Sequence, residues 1–338
     1  MALVKNVVAA LLCAAGVPAL ARRRHRDALA IVMFHGVEDE PPSPPCGHVL
    51  GAARYRRQLA YLRRHFNVLP LREALDRLAE GTLPPRAVAI TFDDGTRNLA
   101  THAVPVLREL RLPAAVFLAT GPLDGGEILW PDRLWLAIAR TAAHEVDLAA
   151  LGLGVRSLAG VTNRGKAYAA AVAACKDLAD ADRIRALDEI FAALGHRDDG
   201  DGGPFRMLSW DEARGLAGDG LVTLHPHSVT HPILARCDDD KVEREIADSC
   251  AALERETGQR VTVFAYPNGR PRDFDARAKD ALRARGIRWA LAATAGFADR
   301  RCDPLALPRL AVSSGSSFGH FRLMVSGGLP RRSGGRRG

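Results

Sequence analysis

Short apolar runs alternate along much of this chain with longer segments whose apolar residues recur at helical spacing. The short runs are rich in β-branched and aromatic residues and therefore predict buried strands, whereas the longer segments predict helices. Strands that alternate with helices form parallel sheets, so the pattern predicts an α/β sheet or barrel. The predicted strands are 28–34, 88–92, 114–118, 221–224 and 261–266, and the predicted helices are 55–66, 71–80, 99–110 and 239–257.

The strand predicted at 88–92 ends on two adjacent carboxylates, Asp93 and Asp94, which Gly95 follows. Successive strand residues point to opposite faces, but a turn at the glycine can aim both carboxylates into one cleft. Because neighbouring anions repel, we expect a cation to keep at least one of them ionised, with one aspartate as metal ligand and the other as base. A plain turn at the strand end is the alternative, since Asp-Asp-Gly is also an ordinary turn sequence.

Three histidines, His225, His227 and His231, follow the strand predicted at 221–224. Imidazole is the commonest protein ligand of divalent transition metals, and one helical turn would place His227 and His231 on the same face. Two histidines and one aspartate leave positions open for water and substrate, which is typical of catalytic metal sites. Together with the upstream Asp-Asp pair, this spacing favours a metal site over a histidine-rich loop without metal. We expect His225 to lie outside the direct ligands.

Positive charge is concentrated at the two ends of the chain. The formal net charge is +8, but without eight terminal arginines the basic residues would equal the 39 acidic residues in number. A balanced body argues against a nucleic-acid groove and favours contact of the ends with anionic lipid or glycan; plain solubilising tails are the alternative. These arginines are Arg22, Arg23, Arg24, Arg26, Arg331, Arg332, Arg336 and Arg337.

The N-terminal segment, residues 1–27, contains an apolar run at 7–21 that is too short for a secure transmembrane helix. Lys5 before the run and the small residues Ala19 and Ala21 at its end resemble a signal peptide and its cleavage site. The arginine cluster that follows favours retention in the cytoplasm, or a basic helix lying on the inner membrane surface. We therefore expect a signal-like or membrane-peripheral segment, and a cytoplasmic or membrane-peripheral protein rather than an exported one.

Three motifs of the chain, taken together, resemble the polysaccharide deacetylase family (NodB homology, carbohydrate esterase 4). They are Thr91–Gly95, His227–Pro232 and Phe264–Gly269, in the family's order, and the resemblance extends from about Ile31 to Leu307-Pro308-Arg309. It implies an α/β fold with a deformed (β/α) barrel and metal-dependent removal of N-acetyl groups from amino sugars. The implied substrate is an N-acetylated glycan in a cell-surface or exported polysaccharide or its precursor. We place this domain at 28–325 and a Gly/Arg-rich tail at 326–338.

The resemblance also implies roles for the motif residues. Asp93 becomes the general base, and Asp94, His227 and His231 bind a divalent metal, which we expect to be Zn²⁺. The segment around His35, Ile31–Val37, is similar to a version of the family in which the last motif, a histidine acid, is permuted to the N-terminal strand. His35 is therefore expected to protonate the leaving amine; a strand-end histidine packed against the following proline-rich loop is the alternative.

One position departs from the family's pattern. Ala265 stands where many members carry an arginine that orients the base, and we expect Arg309 to take that place. A backbone N–H near Asn268 is the expected oxyanion donor, because only its position matters and not its side chain. We assign Tyr266 to the same substrate and oxyanion region.

Residues 122–204 interrupt the strand–helix alternation with an alanine-rich, helical pattern, which we interpret as a helical insertion that flanks the cleft. Trp130, Asp132, Arg133 and Trp135 resemble a sugar-contacting surface, since aromatic faces stack on sugar rings. The pattern favours the alternative, in which the tryptophans pack a helix onto the barrel.

Besides a membrane-surface protein whose basic ends matter most, two other functions are compatible with the sequence. A metal hydrolase of a different linear or cyclic amide would carry the same residues, because they specify the chemistry more closely than the substrate. A non-catalytic glycan-binding protein on the same fold is supported by the missing arginine at Ala265. The intact set of Asp93, Asp94, His227 and His231 argues against that second function.

Overall fold

The computed structural model describes residues 2–197 and 200–329, so the four C-terminal arginines, Arg331, Arg332, Arg336 and Arg337, lie outside the described residues. The strands are β1 Ala30–Phe34, β2 Gly36–Glu38, β3 Val49–Gly51, β4 Asn67–Val68, β5 Ala87–Phe92, β6 Ala114–Leu118, β7 Glu145–Asp147, β8 Val155–Ser157, β9 Val222–Pro226, β10 Val263–Ala265, β11 Trp289–Ala295 and β12 Leu307–Ala311. The α-helices are α1 Ala2–Ala14, α2 Val17–Arg24, α3 Ala52–His65, α4 Leu71–Glu80, α5 Val104–Leu110, α6 Thr120–Gly125, α7 Trp130–Arg140, α8 Gly160–Cys175, α9 Asp180–Ala193, α10 Trp210–Ala217, α11 Asp239–Thr257, α12 Ala276–Ala284 and α13 Phe318–Ser326.

The central sheet is parallel and almost closes into a barrel, which confirms the predicted fold class. Its strands follow the order β10, β11, β12, β1, β5, β6 and β9, and β4 pairs with the start of β5. Between the two end strands, the side chain of His227, the residue directly after β9, donates from Nδ1 to the carbonyl of Ala265 in β10 at 2.7 Å. All five predicted strands are present, whereas β11 and β12 were not predicted. Pro308 in β12 weakens the sequence signal for a strand there.

Alternate residues of the strands pack into two apolar clusters, one on each face of the sheet. Val32, Ile90 and Val116 belong to the first cluster, which also contains residues of the surrounding helices. Ile31 and Phe117 belong to the second cluster, which also contains residues of α4. Both faces of the strands are therefore buried, as parallel strands covered by helices require.

Residues 122–204 form helices α7, α8 and α9 with a small antiparallel hairpin, β7 and β8, which the helical pattern did not predict. These elements have a cluster of buried apolar residues of their own. Trp130 and Trp135 are both buried, and their indole N–H groups donate to the carbonyls of His231 and Pro44. The two tryptophans therefore pack α7 onto the rest of the protein. The prediction that they form a sugar-contacting surface is wrong.

The N-terminal helices α1 and α2 pack against α13. Within residues 2–197 and 200–329, no single helix has the length and hydropathy to cross a membrane. Helices α1 and α2 reach those values only as a pair, and a bend of 73° separates them.

Candidate active site

The predicted site residues gather where the parallel strands of the barrel end. His35 follows β1, Asp93 and Asp94 follow β5, and His227 follows β9. The carboxyl ends of parallel strands lie on one rim, so residues that are distant in sequence come together there.

Asp94, His227 and His231 form a buried group whose candidate ligand atoms all lie within 4.8 Å of one another. Oδ1 of Asp94 lies 3.4 Å from Nε2 of His231 and 3.6 Å from Nε2 of His227. This oxygen is buried and has no hydrogen-bond partner in the described part of the chain. A buried carboxylate oxygen that is left without a donor but faces two imidazole nitrogens fits a divalent cation.

The charge balance around Asp94 also fits a cation. Burial raises the pKa of Asp94 to about 8, and the negative charges of Asp132 and Asp93 add to this effect. At neutral pH this carboxyl would therefore be largely protonated without a nearby positive charge. A bound divalent metal would supply that charge and keep the carboxyl ionised.

His227 is oriented for binding through Nε2. Its Nδ1–H donates to the carbonyl of Ala265, so the lone pair on Nε2 is free and faces the two aspartates. A backbone acceptor on the other ring nitrogen is the usual way in which proteins fix the tautomer of a metal-binding histidine.

The predicted helical turn between His227 and His231 is wrong. The segment is irregular, and Ser228 and His231 have φ values of 67° and 57°, in the left-handed region that non-glycine residues rarely adopt. Glu245 on α11 holds the loop, because its Oε2 accepts hydrogen bonds from the backbone N–H groups of Val229 and Thr230, both at 2.8 Å. The two imidazole rings still meet, with centroids 5.0 Å apart.

A third left-handed residue, Asp94, explains how both aspartates face one cleft. Asp94 has a φ of 75°, which breaks the alternation of strand side chains directly after Asp93. As a result, Nε2 of His227 lies 3.6 Å from Asp94 and 3.8 Å from Asp93. Gly95 continues the turn, and a Cβ there would lie 2.6 Å from a methyl carbon of Leu118.

Arg309 contacts Asp93 through two parallel hydrogen bonds. Nη1 and Nη2 of Arg309 donate to the two carboxylate oxygens at 2.7 Å each, and Nε donates to the carbonyl of Ala292. Burial would raise the pKa of Asp93, but the positive charge and the hydrogen bonds of Arg309 lower it to about 2. Arg309 thus contacts the predicted base, as expected of the residue that replaces the missing arginine. It lies on β12, whereas Asp93 follows β5, and β1 separates these two strands.

His35 lies beside a hydrogen-bonded pair, His48 and Asp132, which was not predicted to belong to the active site. Nε2–H of His48 donates to Oδ1 of Asp132 at 2.9 Å, and the rings of His48 and His35 are 5.7 Å apart. Asp132 comes from α7, so the insertion contributes a buried carboxylate to the cleft. Burial lowers the pKa of His35 to about 3. Burial also opposes protonation of His48, but the charge and hydrogen bond of Asp132 give it a raised pKa.

Two further predictions have different outcomes. Tyr266 is completely buried, its backbone N–H donates to the carbonyl of Leu291, and its hydroxyl donates to the carbonyl of Leu305. Because neither donor is free for a substrate, the assignment of Tyr266 to the substrate and oxyanion region is wrong. The N–H of Asn268, whose φ is 58°, makes no hydrogen bond within the described residues. Its role as oxyanion donor stays a prediction.

His225 lies outside the candidate metal-binding group, as expected. Its Nε2 is 3.0 Å from the hydroxyl of Thr223, and its ring lies against Phe117.

The chain is similar in sequence to a known protein family. The model of the polysaccharide deacetylase family matches residues 80–290, a range that contains Asp93, Asp94, His227 and His231 but not His35 or Arg309. A poly-beta-1,6-N-acetyl-D-glucosamine N-deacetylase of Staphylococcus aureus is 33% identical over 70 residues, which are 20% of this chain and 24% of that relative. The chain therefore matches about a quarter of the length of such curated relatives.

Solved structures share the fold over most of the chain. The Streptococcus pyogenes deacetylase PplD in complex with acetate superimposes with a TM-score of 0.56 at 15% identity, over 86% of this chain and 94% of that chain. IcaB from Ammonifex degensii superimposes with a TM-score of 0.57 at 19% identity, over 89% of this chain and 97% of that chain.

Proposed function

Because the chain belongs to the polysaccharide deacetylase family, we propose that it hydrolyses N-acetyl groups of amino sugars in a glycan with the help of a divalent metal. The observation that carries this proposal is the buried cluster of Asp94, His227 and His231 beside an aspartate that Arg309 holds. The cluster offers one carboxylate and two imidazoles and leaves room for other ligands, which is the pattern of catalytic Zn²⁺ sites. Zn²⁺ is therefore the proposed metal, with Asp94, His227 and His231 as its ligands.

When bound, the metal would polarise the acetamide carbonyl and lower the pKa of a water molecule. The protein's own residues supply the proton transfers. Asp93 is the proposed base, because Arg309 keeps it ionised and orients both of its oxygens. As the water attacks, Asp93 accepts its proton, and the N–H of Asn268 is the proposed donor to the oxygen that becomes negative.

The leaving amine must receive a proton before the carbon–nitrogen bond breaks. His35 is the proposed donor, and His48 with Asp132 is its proposed partner. Asp132 raises the pKa of His48 and so favours its protonated form, whereas burial lowers the pKa of His35. We therefore propose that the proton comes from His48, whose ring centroid lies 5.7 Å from that of His35, and reaches the amine through His35. Acetate and a free amino sugar are then the products.

An N-acetylglucosamine-containing glycan is the proposed substrate, since the aligned relative is a poly-beta-1,6-N-acetyl-D-glucosamine N-deacetylase. The test is acetate release from β-1,6-linked and β-1,4-linked N-acetylglucosamine oligomers, lipid-linked N-acetyl sugars, and simple linear and cyclic amides. Release from the sugars alone supports the proposal. Ammonia or amine release from the simple amides, with no acetate from any sugar, would favour a hydrolase of another amide.

The contact between Arg309 and Asp93 yields a first prediction. In Arg309→Lys the charge remains but the two-point contact is lost, so kcat should fall by about 10- to 100-fold. The pKa of Asp93 should rise, so the pH below which kcat declines should also rise. The acidic limb of the pH profile of kcat should then become measurable. The control is Arg301→Lys, which changes a largely exposed arginine. An unchanged profile in Arg309→Lys would remove Arg309 from the mechanism.

The pair of His48 and Asp132 yields a second prediction. Asp132→Asn removes the negative charge that raises the pKa of His48, so the alkaline limb of kcat should move to lower pH. Its kcat at neutral pH should fall by about tenfold or more, and His48→Gln should lower it further. Both profiles are compared at saturating substrate with the metal content measured. Full metal content with wild-type profiles in both variants would contradict a role for the pair.

We further propose a cytoplasmic or membrane-peripheral location. The support is the arginine cluster after the apolar run and the packing of α1 and α2 on α13, which makes them part of the folded protein. The N-terminal sequence of the protein purified from its native cells tests this proposal. A mature chain that begins after residue 21 would contradict it.

A further inference from the structure

Helix α1 has one face that is bound to the rest of the protein. Ala9 and Cys13 are buried against α13, and Sγ of Cys13 donates to the carbonyl of Gly319 at 3.4 Å. A Cβ at Gly319 would lie 3.3 Å from the backbone of Ala9, so the glycine permits this close approach. In addition, Arg22 on α2 donates to the hydroxyl of Tyr61 on α3. The two helices are therefore held in a defined orientation.

The opposite face of α1 carries an apolar stripe that is open to solvent. Val4, Val7, Val8 and Leu11 recur at the i, i+3, i+4 and i+7 spacing of one helix face, and each is about half exposed or more. Leu20 on α2 is 70% exposed. These five residues are most of the large hydrophobic side chains that are exposed in the described part of the chain.

The charged side chains of helices α1 and α2 are all positive. Residues 1–26 contain no aspartate or glutamate, and Lys5, Arg23 and Arg24 are exposed. On α3, Arg63 and Arg64 are exposed as well. Such a surface repels a second copy of itself but attracts an anionic one.

We propose that α1 lies in the surface of an anionic lipid bilayer, with the stripe of Val4, Val7, Val8 and Leu11 in the acyl-chain boundary. An exposed apolar stripe combined with cations is the signature of helices that lie in the membrane interface, and each cation near anionic headgroups adds to the affinity. Because α13 holds the other face of α1, the barrel docks in one orientation. Membrane binding in this form leaves hydrolysis of soluble substrates unchanged.

The test is flotation of the full-length protein with vesicles of phosphatidylcholine, with or without phosphatidylglycerol. Wild type should bind the anionic vesicles and be released by high salt. The double variant Val7→Asn/Leu11→Asn should bind at least tenfold more weakly. A matched control is Val155→Asn/Val161→Asn, which changes two similarly exposed valines in the insertion and should bind like wild type.

A charge variant, Arg23→Gln/Arg24→Gln, should bind anionic vesicles more weakly than wild type, and its binding should depend less steeply on salt. Turnover of a soluble oligosaccharide and light scattering are measured for every variant, to show that each is folded and to report its oligomeric state. Absence of wild-type binding to anionic vesicles would overturn the proposal. Binding of Val7→Asn/Leu11→Asn as tight as that of the wild type would also overturn it. So would light scattering that shows a dimeric wild type and a monomeric Val7→Asn/Leu11→Asn, because the stripe would then be a dimer interface.

Discussion

Asp93→Asn is expected to lower kcat by about 10³-fold while the protein still binds its metal. Asparagine has nearly the same shape as aspartate but cannot accept a proton from water, and Asp93 is not one of the proposed ligands. The measurement is kcat together with the zinc content of the same preparation. Loss of turnover with full metal content separates a base from a ligand.

The substitution also tests the environment of Arg309. The neutral amide of Asp93→Asn would leave a buried guanidinium without its carboxylate, so the variant should lose about 3 kcal/mol of unfolding free energy. Denaturation curves at neutral pH measure this loss. An Asp93→Asn protein with wild-type turnover would show that another group is the base.

His231→Ala is expected to lower zinc affinity by more than about 100-fold and to abolish zinc-dependent turnover. Residues that only support a ligand already change affinity by about 10- to 100-fold, so removal of a direct ligand should exceed that range. The matched control is His225→Ala in the same segment, where the imidazole contacts Thr223 and Phe117 instead of the cluster. Competition with a chromophoric chelator measures both affinities. Equal zinc binding by the two variants would contradict the ligand assignment.

The same site predicts a pH dependence of metal binding. The pKa of Asp94 in the metal-free protein is raised to about 8 by burial and by the neighbouring carboxylates. Below that pH the metal must displace a proton, so affinity should rise with pH and level off near 8. Proton release on zinc binding at neutral pH is the corresponding calorimetric signal.

Much of the fold and several residues of the site are predictable because they depend on local sequence patterns. Buried parallel strands produce short apolar runs, and residues directly after such runs lie on the rim of a barrel. Asp93, Asp94 and His227 lie directly after the carboxyl end of a strand. Their meeting on the rim of the barrel therefore follows from the topology alone. Arg309 needed a second argument, the alanine at a position where the resembled family has an arginine.

The remaining features depend on contacts that leave no local pattern. The i, i+4 spacing of His227 and His231 predicts a helical turn, but Glu245 on a distant helix stabilises a loop with left-handed residues instead. His48 and Asp132 are far apart in sequence, and only the packing of α7 against the barrel brings them together. Tyr266 was assigned from its place in a motif, although its hydroxyl is directed to the carbonyl of Leu305.

Acetate release by metal-stripped protein, before and after addition of one equivalent of Zn²⁺, tests the central claim most directly. An N-acetylglucosamine oligomer is the substrate, and Asp94→Ala is assayed in parallel. We expect release that requires added Zn²⁺ in the wild type and stays absent in Asp94→Ala. Equal release with and without metal, or zinc-dependent release by Asp94→Ala, would contradict a catalytic metal held by Asp94, His227 and His231.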